Sequence, residues 1–229
     1  MNVEAQELKF HATEQHGECS ALLMRPEGAS ALLVLGHGAS TTMRHGTIET
    51  IAERCAAAGV ASLRYNFPYS EHGRGRNSNA HCMETIRSIV RTAGEIADGL
   101  PVFAGGHSFS GRMTSMAASE EALEGAAGLI FFAFPLHPSG KPATERAEHL
   151  SGVTVPMLFL SGTRDKLAEE NLLKTSIAQL GERAVLHWLH TADHGFKTLK
   201  RTRNTDEDVF DEMARVICGW VKSVAERKE

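Results

Sequence analysis

Val102-Phe103-Ala104-Gly105-Gly106-His107-Ser108-Phe109-Ser110-Gly111 is the stretch whose reading decides the fold. It opens as a short apolar run, passes through two glycines to a serine, and continues into a helical pattern carrying Met113, Met116 and Ala117. A serine between a strand and a helix, with small residues on either side, is the pattern of a sharp bend that exposes the hydroxyl at the carboxyl end of a sheet. The stretch reads G-H-S-F-S-G, so Ser110 stands where the G-x-S-x-G pattern has its second glycine. Alone, it also suits a glycine-rich strand-to-helix turn with no chemistry. Its surroundings decide between the two.

Outward from this bend, strand and helix alternate almost from end to end. Unbroken apolar runs bounded by glycine and proline, Ala31–Leu35, Val60–Tyr65, Val102–Ala104, Gly128–Ala133 and Met157–Leu160, predict strands covered on both faces, as in a parallel sheet. Ala184–His190 is more polar and predicts a strand nearer the edge. Two extended runs, Leu8–Thr13 and Ser20–Arg25, flank the turn-like Gln15-His16-Gly17 at the start. Ile48, Ile51, Ala52 and Cys55 recur at helical spacing, with Gly59 as a left-handed stop. Ile86, Ile89, Val90, Ala93 and Ala97 form a second stripe, ended by Gly99 and Pro101. The clearest helix closes the chain, with Val209, Met213, Val216, Ile217, Trp220 and Val224 on one face and Asp206 to Asp208 at its positive end. This alternation predicts one α/β domain over residues 1–229, a doubly wound, mostly parallel sheet with helices on both faces. The polar interval Leu136–Gly152 is too short for a large lid and has room for a small helix flanking the site. Ser70–Asn79 reads as a mobile surface loop.

A serine hydroxyl is a poor nucleophile until a base takes its proton, and the base needs a third group to orient its ring. Pro156-Met157-Leu158-Phe159-Leu160-Ser161-Gly162-Thr163-Arg164-Asp165 is a strand running into a turn that ends in an acid. The next strand runs into Thr191-Ala192-Asp193-His194-Gly195-Phe196. Ser108, Asp165 and His194 thus fall in order at three successive strand ends, the chain order of a nucleophile, acid and base on such a sheet. Asp165 also suits a turn or a helix N-cap, and Asp193 is a rival acid, though a neighbour in sequence is poorly placed to face the ring of His194. With 12 histidines in the chain, most are surface or structural groups; His187 and His190 alternate with apolar residues on a strand. Leu32-Leu33-Val34-Leu35-Gly36-His37-Gly38-Ala39 ends a strand in a tight turn. The backbone N–H groups of Ala39 and of Phe109 are the expected oxyanion donors. Together these residues predict acyl transfer to water, with a small ester or thioester as substrate. Arg44, Arg112, Lys141 and Lys197 hint at an anionic one, although solvated surface charge is the ordinary role of each.

Composition narrows the field. With 42% hydrophobic and 23% charged residues the chain is globular, and a net charge of −4 offers no basic stripe for nucleic acid. No apolar run approaches the roughly 20 residues of a membrane span, and Met1 to Phe10 lacks the pattern of a signal peptide. The four cysteines, Cys19, Cys55, Cys82 and Cys218, are scattered without C-x-x-C spacing, so reduced thiols and a cytoplasmic location are expected. No histidine, cysteine and carboxylate grouping has metal-ligand spacing, and neither metal nor cofactor is expected.

Gly36-His37-Gly38-Ala39, Arg64-Tyr65-Asn66-Phe67-Pro68-Tyr69, Gly106-His107-Ser108-Phe109-Ser110-Gly111-Arg112, Phe134 to Pro142, Gly162-Thr163-Arg164-Asp165 and Asp193-His194 together resemble the dienelactone-hydrolase-like branch of the α/β-hydrolases. More narrowly, the chain is similar to the bacterial group that shares a domain with testis-expressed protein 30 and with a subunit of a nuclear histone-acetyltransferase complex. The resemblance implies a single-domain α/β-hydrolase fold, no metal, and a triad of Ser108, Asp165 and His194. The chain departs from the pattern in two places: the family usually has glycine at the position of Ser110, and dienelactone hydrolases proper use cysteine where this chain has Ser108. Some members of the narrower group serve as assembly parts, so a non-catalytic binding module on the same fold is the alternative. Such a module would keep the glycines and the core but need no complete triad.

Overall fold

The computed structural model describes residues 3–73 and 75–227. Eight strands build one sheet: β1 (Gln6–Thr13), β2 (Gly17–Met24), β3 (Leu32–Gly36), β4 (Ala61–Tyr65), β5 (Val102–His107), β6 (Ala126–Phe132), β7 (Met157–Gly162) and β8 (Ala184–Leu189). Their spatial order is β1-β2-β4-β3-β5-β6-β7-β8. From β4 to β8 all pairings are parallel, whereas β1 and β2 form an antiparallel hairpin whose second strand joins β4. The polar run 184–190 accordingly sits at the sheet edge, as β8.

The parallel strands are buried on both faces, and alternate residues of each serve two different cores. Leu32, Val34, Val102 and Ala104 pack under α3 (Asn79–Ile96), α4 (Phe109–Glu120) and α5 (Glu170–Ala178). Leu33, Leu35 and Phe103 pack under α1 (Gly46–Ala57) and α6 (Val209–Glu226). A short helix, α2 (Pro68–Glu71), follows β4. Helix ends follow local chemistry. Asp208 caps α6 by accepting from the Phe210 N–H, and Ser78 caps α3 by accepting from His81. Gly59, at φ 81°, turns the chain out of α1.

Two helices were not foreseen: α2, only four residues long, and α5, whose buried stripe is just Leu173 and Ile177. Leu136–Gly152 carries a 3₁₀ helix over Glu145–Gly152 and no lid domain. In the interval read as a surface loop, α2 ends at Glu71 and the cap of α3 begins at Ser78, while Arg74 lies outside the described residues. Among the described residues, no helix is long and apolar enough to cross a membrane.

This topology fixes where a ligand can sit. From β3 the chain runs to β4 on one side, then returns to β5 on the other. The order of strands therefore reverses between β3 and β5, and in open α/β sheets the crevice beyond the strand ends at such a switch point is the binding site. Beyond β3 lie His37, Gly38 and Ala39; beyond β5 lies Ser108.

Candidate active site

Ser108 occupies the bend between β5 and α4 at φ 53°, ψ −109°, a conformation that non-glycine residues rarely adopt. The bend is pinned on both sides: the Ser108 N–H donates to the Phe132 carbonyl at 2.8 Å, and the Ser108 carbonyl accepts from the Arg112 N–H at 3.1 Å. The strained backbone is thus over-determined by β6 and by the first turn of α4.

Ser110 in place of glycine is accommodated by glycines elsewhere. Gly36 and Gly106 face each other across β3 and β5. A Cβ on Gly36 would come 2.5 Å from the Ser110 Cβ, and one on Gly106 would come 2.2 Å from the Ser110 Oγ. The space a second glycine would leave is therefore filled by a fully buried serine whose hydroxyl donates to the His107 carbonyl at 3.2 Å. Its one local bond is to backbone, as expected of a hydroxyl in the first turn of a helix.

The three residues read from strand ends come together. His194 Nε2 lies 2.9 Å from the Ser108 Oγ, and His194 Nδ1 lies 2.8 Å from the Asp165 Oδ2. With Asp165 ionised, the arrangement has the hydroxyl donating to Nε2 and Nδ1–H donating to the carboxylate. Asp165 is buried, and its second oxygen accepts from the Leu167 N–H at 2.8 Å, which fixes the plane of the carboxylate. The rival acid is otherwise engaged: Asp193 Oδ1 accepts from the Gly195 and Lys197 N–H groups, each at 3.0 Å, and closes the turn that carries His194. The strand ends are not successive, because β6 lies between the strand of the serine and that of the acid.

Ala39 follows β3, and Phe109 is the first residue of α4, where an N–H has no partner within the helix. Among the described residues, neither of these N–H groups donates to a protein acceptor. A cleft of about 440 Å³ opens beside His194, lined by Arg164, Lys166, Asp193, Gly195 and Lys197. Of the other cations singled out in the sequence, Arg44 pairs with Glu7 at 2.9 Å, Lys141 is exposed in the turn after Pro138, and Arg112 is half-buried one turn beyond Ser108.

Two histidines that sequence reasoning passed over hold the site, His37 fully buried and His107 partly so. His107 Nε2–H donates to the His194 carbonyl at 3.0 Å, tying the loop of the base to the strand of the serine. His37 Nδ1–H donates to the Gly38 carbonyl at 2.8 Å, and its Nε2 accepts from the Ser70 hydroxyl at 3.0 Å. Burial pushes both imidazoles down to about 4, so both are neutral across the physiological range. In the unfolded chain they titrate near 6.5, so between about pH 6.5 and 4 the unfolded state binds protons that the folded state refuses. Stability therefore falls as pH drops through that window. The thermal midpoint followed by circular dichroism should decline from pH 6.5 to 5, above the range of most carboxylates, and less steeply in His107→Gln. A flat midpoint there would contradict the assignment.

Residues 29–222 match the family model described as alpha/beta hydrolase domain. Among solved structures, the chain is similar to a lidless α/β serine hydrolase from Xanthomonas campestris, at TM-score 0.70 and 16% identity over 99% of this chain and 96% of that one. A dienelactone hydrolase from Anabaena variabilis superposes at TM-score 0.73 and 18% identity, over 96% of this chain and 98% of that one. Est1E from Butyrivibrio proteoclasticus gives 0.70 and 15%, over 96% and 99%. At such identities the likeness extends to the fold.

Proposed function

The chain belongs to the alpha/beta hydrolase domain family, and from that premise we propose that it hydrolyses a small ester or thioester through an acyl-enzyme on Ser108. The observation that carries the reading is the unbroken hydrogen-bond chain from the Ser108 hydroxyl through His194 to the buried Asp165. In this reading Ser108 Oγ attacks the substrate carbonyl carbon as its proton passes to His194 Nε2. Asp165 accepts from Nδ1–H throughout, holding the tautomer and stabilising the imidazolium. The negative charge on the carbonyl oxygen meets the Ala39 and Phe109 N–H groups, with the positive end of α4 behind the second. Collapse expels the alcohol or thiol, which takes the proton from Nε2 and leaves acyl-Ser108. Water then attacks, giving a proton to Nε2; a second collapse returns that proton to Ser108 and frees the acid. With no lid domain over the strand ends among the described residues, the site favours small or flexible acyl groups.

Within the family, the motifs at 36–39, 106–112 and 162–165 support placement in the dienelactone-hydrolase-like branch, near the group related to testis-expressed protein 30. Ser108 in place of cysteine argues for ester or thioester cleavage over the dienelactone reaction. Free thiols at Cys19, Cys55 and Cys82, all buried, fit a reducing, cytoplasmic setting.

An acyl-enzyme makes a specific demand on product ratios. An ester and a thioester with the same butyryl group should form one common intermediate. With hydroxylamine present, both should therefore give the same ratio of butyryl hydroxamate to butyrate. Different ratios, or turnover of neither compound by folded protein, would overturn the proposal.

A further inference from the structure

Among the described residues, several arginines pair with carboxylates, while Arg25, Arg164 and Arg183 donate to backbone carbonyls. Arg54 pairs with Asp211, Arg64 with Glu49, Arg203 with Glu212 and Arg215 with Glu207. Three arginines near Ser108 have neither kind of partner among the described residues. Arg112 lies one turn into α4, its N–H bonded to the Ser108 carbonyl, and its buried Nε has no hydrogen-bond partner among the described residues. Arg76 lies over the Phe109 ring, its guanidinium carbon 5.1 Å from the centroid. Arg146 belongs to the 3₁₀ helix Glu145–Gly152, which is fastened to α4 by a bond of 2.7 Å between Ser115 Oγ and His149 Nε2. In a 3₁₀ helix residues three apart share a face, so Arg146 stands on the side of His149, while Glu145 and Glu148 share the neighbouring one. On α4, Arg112 is likewise three residues before Ser115, on the side toward Ser108. Arg112 feels both of the others: burial, then Arg146, then Arg76 push its guanidinium below its ordinary value. Among the described residues none of the three pairs with a carboxylate.

A half-buried guanidinium under the repulsion of two others is costly unless a counter-charge arrives, and in a chain of net charge −4 the crowding is not a by-product of composition. We propose that Arg76, Arg112 and Arg146 form a subsite for an anionic group, carboxylate or phosphate, on the substrate whose carbonyl reacts at Ser108. The proposal rests on the hydrolase reading for its link to catalysis, though not for the binding itself. Planar guanidinium forks suit both anions. The anion belongs either to the acyl half or to the leaving group, and the two are separable by experiment.

Four p-substituted phenyl esters decide it: p-nitrophenyl butyrate, which is neutral; mono-p-nitrophenyl glutarate, anionic on the acyl half; p-carboxyphenyl butyrate, anionic on the leaving group; and p-chlorophenyl butyrate, the neutral counterpart of the third in leaving-group acidity. One anionic ester should exceed its neutral counterpart of matched leaving-group reactivity in kcat/KM by about tenfold or more, as a charge-assisted hydrogen bond warrants. That preference should collapse in Arg146→Gln and in Arg76→Gln, the second at an exposed position, and persist in Lys222→Gln on α6. A wild-type protein with no preference, or a preference surviving in both arginine variants, would overturn the subsite. If no ester is turned over at all, calorimetry with glutarate and with inorganic phosphate tests binding on its own. Saturable binding of either anion, weakened at least about tenfold in Arg146→Gln, sustains the subsite without the hydrolase reading. No binding of either anion overturns it.

Discussion

Asp165→Asn is expected to lower kcat/KM for a short activated ester by about four orders of magnitude, close to 5 kcal/mol of transition-state stabilisation. The size follows from the geometry. The Asp165 side chain is buried, one oxygen held by the Leu167 N–H and the other 2.8 Å from His194 Nδ1. An asparagine of the same shape can present an amide N–H toward Nδ1, which favours the tautomer protonated on Nε2, and that tautomer cannot accept the Ser108 proton. Asp193→Asn is expected to cost less than about tenfold, because an asparagine oxygen can still accept from the Gly195 and Lys197 N–H groups. Initial rates of the two variants, with circular dichroism to verify folding, decide between the acids. A larger loss at Asp193 would mean that the second acid, not the buried one, orients the base.

Ser108→Ala should be the most damaging single change to activity, removing about four to six orders of magnitude, as loss of a nucleophile does in other triads. Thermal stability should barely move. Ser108 keeps its bend through backbone bonds to Phe132 and Arg112, and alanine bears the same positive φ at similar cost. Steady-state rates beside the melting midpoint check both halves of this expectation. Residual activity within tenfold of the wild type would require another nucleophile.

Much of this is legible in the sequence, for physical reasons. A strand buried on both faces must be apolar throughout, so Leu32–Leu35, Leu129–Phe132 and Met157–Leu160 announce themselves. A polar residue just past such a run must lie at the strand end, which is why Ser108, Asp165 and His194 could be read at all. What escaped the reading depends on contacts between distant segments. The space for Ser110 exists only because β3 and β5 pair with Gly36 opposite Gly106. His107 looks like an ordinary residue of the turn, and its bond to the His194 carbonyl spans 87 positions. β7 runs on to Gly162 because backbone pairing with Leu189 continues past the last apolar side chain. The neighbourhood of Arg112 and Arg146 needs the packing of a 3₁₀ helix that no hydrophobic period signals.

The central claim is that His194 activates Ser108 and no other serine of the bend. A fluorophosphonate reacts with a serine made nucleophilic by an adjacent base, so the position of the label reports the assembled site. The measurement is intact-protein mass followed by peptide mapping of the segment around residues 102–112, in wild type, Ser108→Ala and Ser110→Gly. One label per chain on Ser108 is predicted, absent from Ser108→Ala and retained in Ser110→Gly, since Ser110 is buried and bonded only to the His107 carbonyl. Labelling that survives Ser108→Ala and disappears in Ser110→Gly, or folded wild-type protein that takes up no label, would contradict the account.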